Sequence, residues 1–281
     1  MEKHNFFCKY SEMRFIEAHS GISAKVINSL SVKKNKFDGI WASSLTISAM
    51  KGFPDIELDC LIDRFSTIND ICSSSSLPVI VDFDTGGPVK NFKYICRRLE
   101  DIGVAGVIIE DKCGDKINSL IDNAKHILED KAIFAKKIKE AKSICKRNGL
   151  QIFARLESLI AGYSIGHAIE RAICFLKAGA DGILIHSNKK SPNEIFDFIE
   201  KYNQLQNRKL LICVPTTYNN VTAQELFDRG VNIVIYANHL MRASIKAMES
   251  ACLKILEKDR GFETDQDICC SIKELINLTE I

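Results

Sequence analysis

Val79-Ile-Val-Asp82-Phe-Asp84-Thr-Gly-Gly87 is the stretch on which the fold turns. An apolar run of this kind, rich in Ile and Val, is a strand covered on both faces; it ends in charged residues, and a helix-like stretch follows. The same unit recurs along the chain, so that eight strand-like runs end in Glu17/His19, Trp41/Ser43, Asp82/Asp84, Glu110/Asp111, Arg155/Glu157, His186/Ser187, Pro215/Thr216 and Asn238/His239. Parallel strands joined by crossover helices all point one way. Closed into a ring, eight such units bring their tips to one rim, where barrel enzymes build their active sites. The expected fold class is therefore α/β, a TIM-type (α/β)8 barrel, and the expected molecule is an enzyme.

Strands are expected at Met13–Ala18, Gly39–Ala42, Val79–Asp84, Ala105–Glu110, Ile152–Leu156, Gly182–His186, Leu210–Val214 and Asn232–Ala237. The clearer helices are Ile56–Cys72, Lys131–Arg147, Ile165–Lys177, Pro192–Tyr202 and Leu240–Lys258. At 281 residues and 46% hydrophobic, the chain suits one barrel domain over 1–281, with 240–281 as a C-terminal helical extension.

A net charge of +2, with no basic tract, predicts no nucleic-acid partner. The first residues lack the apolar core of a secretion signal, and no run approaches the roughly 20 apolar residues of a membrane span, so a cytoplasmic protein with no membrane partner is expected. The 11 cysteines include no Cys-x-x-Cys pair, and Cys60, Cys96, Cys174 and Cys213 fall in apolar-periodic contexts. Reduced structural thiols are expected.

Two connections stand out for length and polarity, Ser43–Asp55 after the second strand and Asp111–Asp130 after the fourth, and both leave the rim that carries the chemistry. Strand alternation puts Asp82 and Asp84 on one face, toward the barrel mouth, with Glu110 ending the neighbouring strand. Adjacent carboxylates repel unless a cation joins them, and hard oxygen ligands with room for water suit Mg²⁺. Each Asp taken alone also fits a turn or helix cap.

Arg155, with its two-pronged donor, and His186 are candidates to bind the anionic end of a substrate; an ion pair with Glu157 or Glu110, or a buried imidazole, would explain them equally simply. Trp41-Ala-Ser43-Ser44-Leu45 places small residues where backbone N–H groups can approach an anion. Asp55 fits an N-cap or a functional carboxylate. Lys112, Lys116, Asn118 and Ser119, in the second connection, fit closure over a phosphoryl group or simply solvated loop charges.

Taken in order, Glu17-Ala-His-Ser-Gly-Ile-Ser-Ala-Lys25, Gly39-Ile-Trp-Ala-Ser-Ser-Leu-Thr46, Asp82-Phe-Asp-Thr-Gly-Gly87, Val107-Ile-Ile-Glu-Asp-Lys112, Lys116-Ile-Asn-Ser-Leu120, Ala154-Arg-Leu-Glu-Ser158, Gly179-Ala-Asp-Gly-Ile183 with Ile185-His-Ser187, and Val234-Ile-Tyr-Ala-Asn-His239 resemble the phosphoenolpyruvate mutase family of the isocitrate lyase/phosphoenolpyruvate mutase superfamily. The resemblance implies an (α/β)8 barrel that exchanges its C-terminal helix between subunits of a homodimer or homotetramer, the helices after His239 being the exchanged part. It implies Mg²⁺, with Asp82 a direct ligand and Asp84 and Glu110 ligands through water. It implies phosphoenolpyruvate or phosphonopyruvate as substrate, bound by Arg155, His186 and Ser187 with Trp41, and by Ser43, Ser44 and Leu45 as a main-chain clamp. Lys116 and Asn118 match the mobile gating loop, and Asp55 the catalytic Asp.

The implied activity is the Mg²⁺-dependent interconversion of phosphoenolpyruvate and 3-phosphonopyruvate, the first step of phosphonate biosynthesis. Counting from Glu110, Asn118 occupies the position of the catalytic Cys of the lyase branch, which argues against carbon–carbon cleavage. Phosphonopyruvate hydrolase, or a related 2-oxo acid enzyme, is the alternative reading, and a non-catalytic binding barrel a third. The chain departs from its relatives at Ala42 and Ser44, at Asp115 before the gate lysine, and at Cys113-Gly114, where glycine makes the gate more flexible.

Overall fold

The computed structural model describes residues 6–9, 11–32, 35–58, 61–121, 124–145 and 149–280. Eight parallel strands close into a barrel in the order β1 (Met13–Ala18), β2 (Gly39–Ala42), β3 (Val79–Asp82), β4 (Gly106–Glu110), β7 (Gln151–Leu156), β8 (Gly182–Ile185), β9 (Leu210–Cys213) and β10 (Ile233–Tyr236), with β10 pairing back onto β1. The two numbers missing from the ring, β5 (Lys112–Cys113) and β6 (Ile127–Leu128), form an antiparallel ribbon outside it.

Alternation along the strands divides the apolar residues into two cores. Inward positions such as Met13, Phe15, Ile80, Ile108, Phe153, Leu184, Ile212 and Ile233 fill the barrel. Outward positions such as Ile16, Val81, Val107, Ile152 and Ile183 meet the surrounding helices. The lower barrel is crowded by aromatic rings. A Cβ on Gly39 would stand 2.1 Å from the Phe15 ring, and one on Gly106 would stand 2.7 Å from the Phe153 ring, so the strand-starting glycines make room for them. Helix α1 (Phe6–Lys9) sends Phe7 into the same end, where it stacks on Phe15 and packs edge-on against Phe153 with centroids 5.6 Å apart.

The helices are α2 (Gly21–Ser29), α3 (Ser44–Met50), α4 (Leu61–Ser73), α5 (Val89–Asp101), α6 (Lys131–Ile144), α7 (Ile165–Ala178), α8 (Asn193–Asn203) and α9 (Ala223–Asp228), followed by the C-terminal α10 (His239–Lys258), α11 (Phe262–Asp267) and α12 (Ile272–Thr279). No described helix is long and apolar enough to cross a membrane. Among the cysteines singled out from sequence, Cys96 and Cys213 are buried free thiols and Cys174 is half-buried, while Cys60 lies outside the described residues.

Several expectations need correction. The strand expected over Val79–Asp84 stops at Asp82, because Asp84 adopts a left-handed turn with φ 50°. The helix expected from Ile56 begins at Leu61, so Asp55 is not its N-cap. The helix expected over Lys131–Arg147 ends at Ile144, and Arg147 lies outside the described residues. Neither long connection is irregular throughout: the first opens with α3, and the second is pinned at its base by the β5–β6 ribbon.

The C-terminal helices carry unusual apolar exposure. Only Met241 of the 20 residues of α10 is buried, while Met248, Leu253, Leu256, Phe262 and Ile272 are exposed. The start of α10 is held from β1: Glu17 Oε2 accepts the backbone N–H of Leu240 at 3.0 Å and of Met241 at 3.1 Å, and His19 Nδ1 lies 2.6 Å from its Oε1.

Candidate active site

Above the inward apolar layers, the same alternation places polar side chains at the C-terminal ends of the strands. Asp82, Glu110, Arg155 and His186 follow Ile80, Ile108, Phe153 and Leu184 on their strands, and strand pairing sets Glu110 beside Arg155. Together with Trp41, Ser43, Ser44, Leu45, Asp55, Asp84, Lys116 and Asn118 they line one cavity at this rim, joined by Lys112, Ser119, Thr216 and Asn238. Ser187 is the exception among the expected residues. It is buried outside the lining, where its hydroxyl bonds to Glu194 and accepts the Lys189 N–H.

Ser43 is the N-cap of α3 but makes no side-chain cap, so the first-turn amides of Ser44 and Leu45 lack partners within the helix. The Ser44 hydroxyl donates to Asp82 Oδ2 at 3.1 Å and accepts from Lys116 Nζ at 3.1 Å. Trp41 Nε1 is buried without a partner.

The second loop lies closed over this floor. Lys116 Nζ bonds to both Asp55 Oδ1 and Asp84 Oδ1, and Asn118 Nδ2 donates to Asp55 Oδ2 at 2.8 Å. Lys112 Nζ donates to the Ile117 carbonyl at 2.8 Å and to Ser119 Oγ at 3.0 Å, which fixes the loop from beneath. Burial works against the Lys116 ammonium, but Asp84 and Asp55 outweigh it and raise its pKa, so the amine stays charged.

Arg155 is anchored at its base and open at its tip. Its Nε donates to Glu157 Oε1 at 2.5 Å and its Nη2 to Ser119 Oγ at 2.9 Å, while Nη1 stands 3.6 Å from Glu110 and 3.9 Å from Asp82. Burial would raise the Glu157 carboxyl; Arg155 first, with Lys112 and the Ser119 hydroxyl, holds it at about 2. The ion pair that would explain Arg155 simply is therefore present, and it aims the guanidinium at the cavity. His186 is not a second cation. Burial, then repulsion from Arg155, lowers its pKa to about 3, and its Nδ1 has no partner.

The carboxylates differ sharply. Burial and the neighbouring Asp84 raise Asp82. Burial also acts on Asp84, but Arg64 and Lys116 overcome it and keep that carboxyl at about 2. Glu110 is pushed up to about 8, chiefly by burial. Its Oε1 makes no hydrogen bond, although Lys112 Nζ lies 3.3 Å away.

A carboxyl group that burial holds protonated, beside two others in an all-oxygen set, fits a hard divalent cation. Among the described residues no three acidic, His or Cys side chains close on a single point. Mg²⁺ usually keeps several waters, so fewer direct ligands suffice for it.

Two buried arginines were not anticipated. Arg64 bonds to Asp84 and to the Asp82 carbonyl, and Arg171 Nε donates to Asp111 Oδ2 at 2.5 Å, while Asp111 Oδ1 accepts the Glu157 N–H at 2.8 Å. A signal existed in each case. Arg171 shares the buried face of its helix with Ala168, Ala172 and Phe175, and Arg64 shares one with Thr67, Ile68 and Ile71, so each is a charge on a buried stripe.

Residues 8–256 match the family profile described as phosphoenolpyruvate phosphomutase. The chain is 35% identical over 269 residues to the phosphoenolpyruvate phosphomutase of Tetrahymena pyriformis, covering 95% of this chain and 87% of that protein. It superposes with a TM-score of 0.90 and 32% identity on the crystal structure of phosphoenolpyruvate phosphomutase from Streptomyces platensis subsp. rosaceus, covering 97% of this chain and 92% of the other. A phosphonopyruvate hydrolase crystallised with oxalate and Mg²⁺ gives a TM-score of 0.89 at 30% identity, covering 99% and 95%.

Proposed function

Because the chain belongs to the phosphoenolpyruvate phosphomutase family, we propose that it interconverts phosphoenolpyruvate and 3-phosphonopyruvate, the carbon–phosphorus bond-forming step that opens phosphonate biosynthesis. The observation that carries this reading is the closed loop, in which Lys116 and Asn118 both bond to Asp55 above the carboxylates. Moving a phosphoryl group from enolate oxygen to carbon breaks a P–O bond and forms a P–C bond, and the metaphosphate-like fragment between must not meet water. A loop latched on both sides of Asp55 supplies that exclusion.

The roles follow from the chemistry of each group. The amides of Ser44 and Leu45 and the guanidinium of Arg155 hold the anionic pyruvyl end, with Ser43 and Trp41 beside them. His186 contributes a neutral hydrogen bond. Asn118 and Lys116 steady the phosphoryl oxygens, and Asp55 faces the phosphorus. Asp82 would hold Mg²⁺ directly and Asp84 and Glu110 through water, and a bound ion would supply positive charge to stabilise the enolate and phosphoryl oxygens. The Mg²⁺ in the oxalate complex of the hydrolase relative supports the choice of metal. Ser187 supports the strand end rather than the substrate, given its bond to Glu194.

The assembly reading is a homodimer or homotetramer that exchanges the helices of 240–281, supported by the exposed apolar face of α10 to α12. Light scattering on the full chain should give at least a dimer; a monomer overturns it.

Phosphonopyruvate hydrolase is the second reading, favoured by a superposition nearly as close and by Gly114 at the foot of the loop, with φ 83° and open space around it. Phosphorus NMR of the protein with phosphonopyruvate and Mg²⁺ separates the two. Phosphoenolpyruvate should accumulate. Inorganic phosphate in its place means hydrolysis.

A further inference from the structure

Arg64 lies behind the cavity rather than on its lining. Its side chain is buried and extends from the first turn of α4 beneath the end of β3. Nη1 donates to Asp84 Oδ2 at 2.6 Å, Nη2 donates to the backbone carbonyl of Asp82 at 2.7 Å, and the guanidinium lies 4.5 Å above the centroid of the Phe83 ring. One side chain thus grips three consecutive residues.

The grip matters because of what Asp84 has to do. Its backbone is left-handed, a conformation that an L-residue holds only when its surroundings impose it. With Oδ2 taken by Arg64, the other oxygen, Oδ1, is the one that meets Lys116 in the cavity. We propose that Arg64 is a positioning residue, holding Asp84 so that Oδ1 faces a divalent cation and thereby setting the affinity of the site for that ion. The inference rests on the reading that Asp82, Asp84 and Glu110 hold such a cation.

Charge and geometry make opposite demands here, which makes the role testable. As a bare positive charge, Arg64 would oppose a metal ion, so its removal would tighten binding. As a clamp, it needs a planar fork that spans two acceptors while lying over a ring, which lysine cannot provide. Arg64→Lys keeps the charge and removes the fork. Phe83→Leu keeps both hydrogen bonds and removes the ring beneath them.

The probe is Mn²⁺, followed by the electron paramagnetic resonance signal of the free ion with the full-length protein, and thermal unfolding is recorded in parallel. R64K should weaken Mn²⁺ binding by about tenfold or more, the usual scale for a partner that orients a metal ligand, and F83L should weaken it by a smaller factor in the same direction. Mn²⁺ affinity unchanged or tightened in R64K, even with a lowered melting temperature, overturns the proposal. If R64K does not fold, F83L decides, and unchanged affinity there overturns it as well. Wild-type protein that binds no Mn²⁺ overturns the metal reading beneath it, an outcome distinct from either.

Discussion

The ammonium of Lys116 stands between the carboxylates of Asp55 and Asp84, bonded to both, so one loop side chain ties the first long connection to the end of β3. Lys116→Ala cuts that tie. A donor of this kind is typically worth about 3 kcal/mol, so turnover of phosphonopyruvate should fall by roughly 10²–10³. Asn118→Ala removes the second link to Asp55 and should raise the share of phosphate among the products. Phosphorus NMR reads both, and phosphate release left unaltered by N118A would favour hydrolysis as the native reaction.

Metal binding should release a proton near neutrality. Glu110, with a pKa near 8 against its ordinary 4.5, is protonated in the metal-free protein at pH 7. A cation needs the charged form, so affinity should strengthen as pH rises from about 6 to about 8. Calorimetry in buffers of different ionisation heat measures the protons released, and Glu110→Gln should abolish most of them.

The same shifts set the pH dependence of metal-free stability. Glu110, raised on folding, contributes stability that is fully present below about pH 4.5 and lost as pH rises through about 8. Asp84, lowered to about 2, contributes stability present above about pH 4 and lost as pH falls through 2. Denaturant midpoints should therefore shift upward with Mg²⁺ more at pH 8 than at pH 6.

Glu17 acts as a cap supplied by another element. Asn238, the N-cap of α10, makes no side-chain cap bond, and the two amides are instead met by Glu17. Glu17→Ala should cost about 1–2 kcal/mol and speed hydrogen exchange at Leu240 and Met241 before it affects the rest of the barrel.

Arg171 and Asp111 form a buried pair that also holds the Glu157 N–H. Arg171→Met leaves a carboxylate without its partner and should destabilise the protein by about 3–5 kcal/mol in denaturant titration.

The barrel was legible because alternation and strand endings repeat eight times, and the rim residues Asp82, Glu110, Arg155 and His186 were legible because they continue that alternation. Asp84 reached the cavity by a different route from the one alternation suggested, since a turn residue at φ 50° takes its direction from tertiary contacts. Asp55 fitted a cap as well as a functional carboxylate because local sequence cannot show Lys116 and Asn118 arriving from 61 and 63 residues away. The neutrality of His186 was hidden for a similar reason: burial beside Arg155 exists only once the strands close.

Phe7, wedged against Phe15 and Phe153, stoppers the end of the barrel opposite the carboxylates. Among the described residues the packed rings leave the carboxylate rim as the way in, so on the proposed reading product should leave past Lys116. Egress rather than bond making is then the natural bottleneck of the cycle, and added viscosogen should slow turnover.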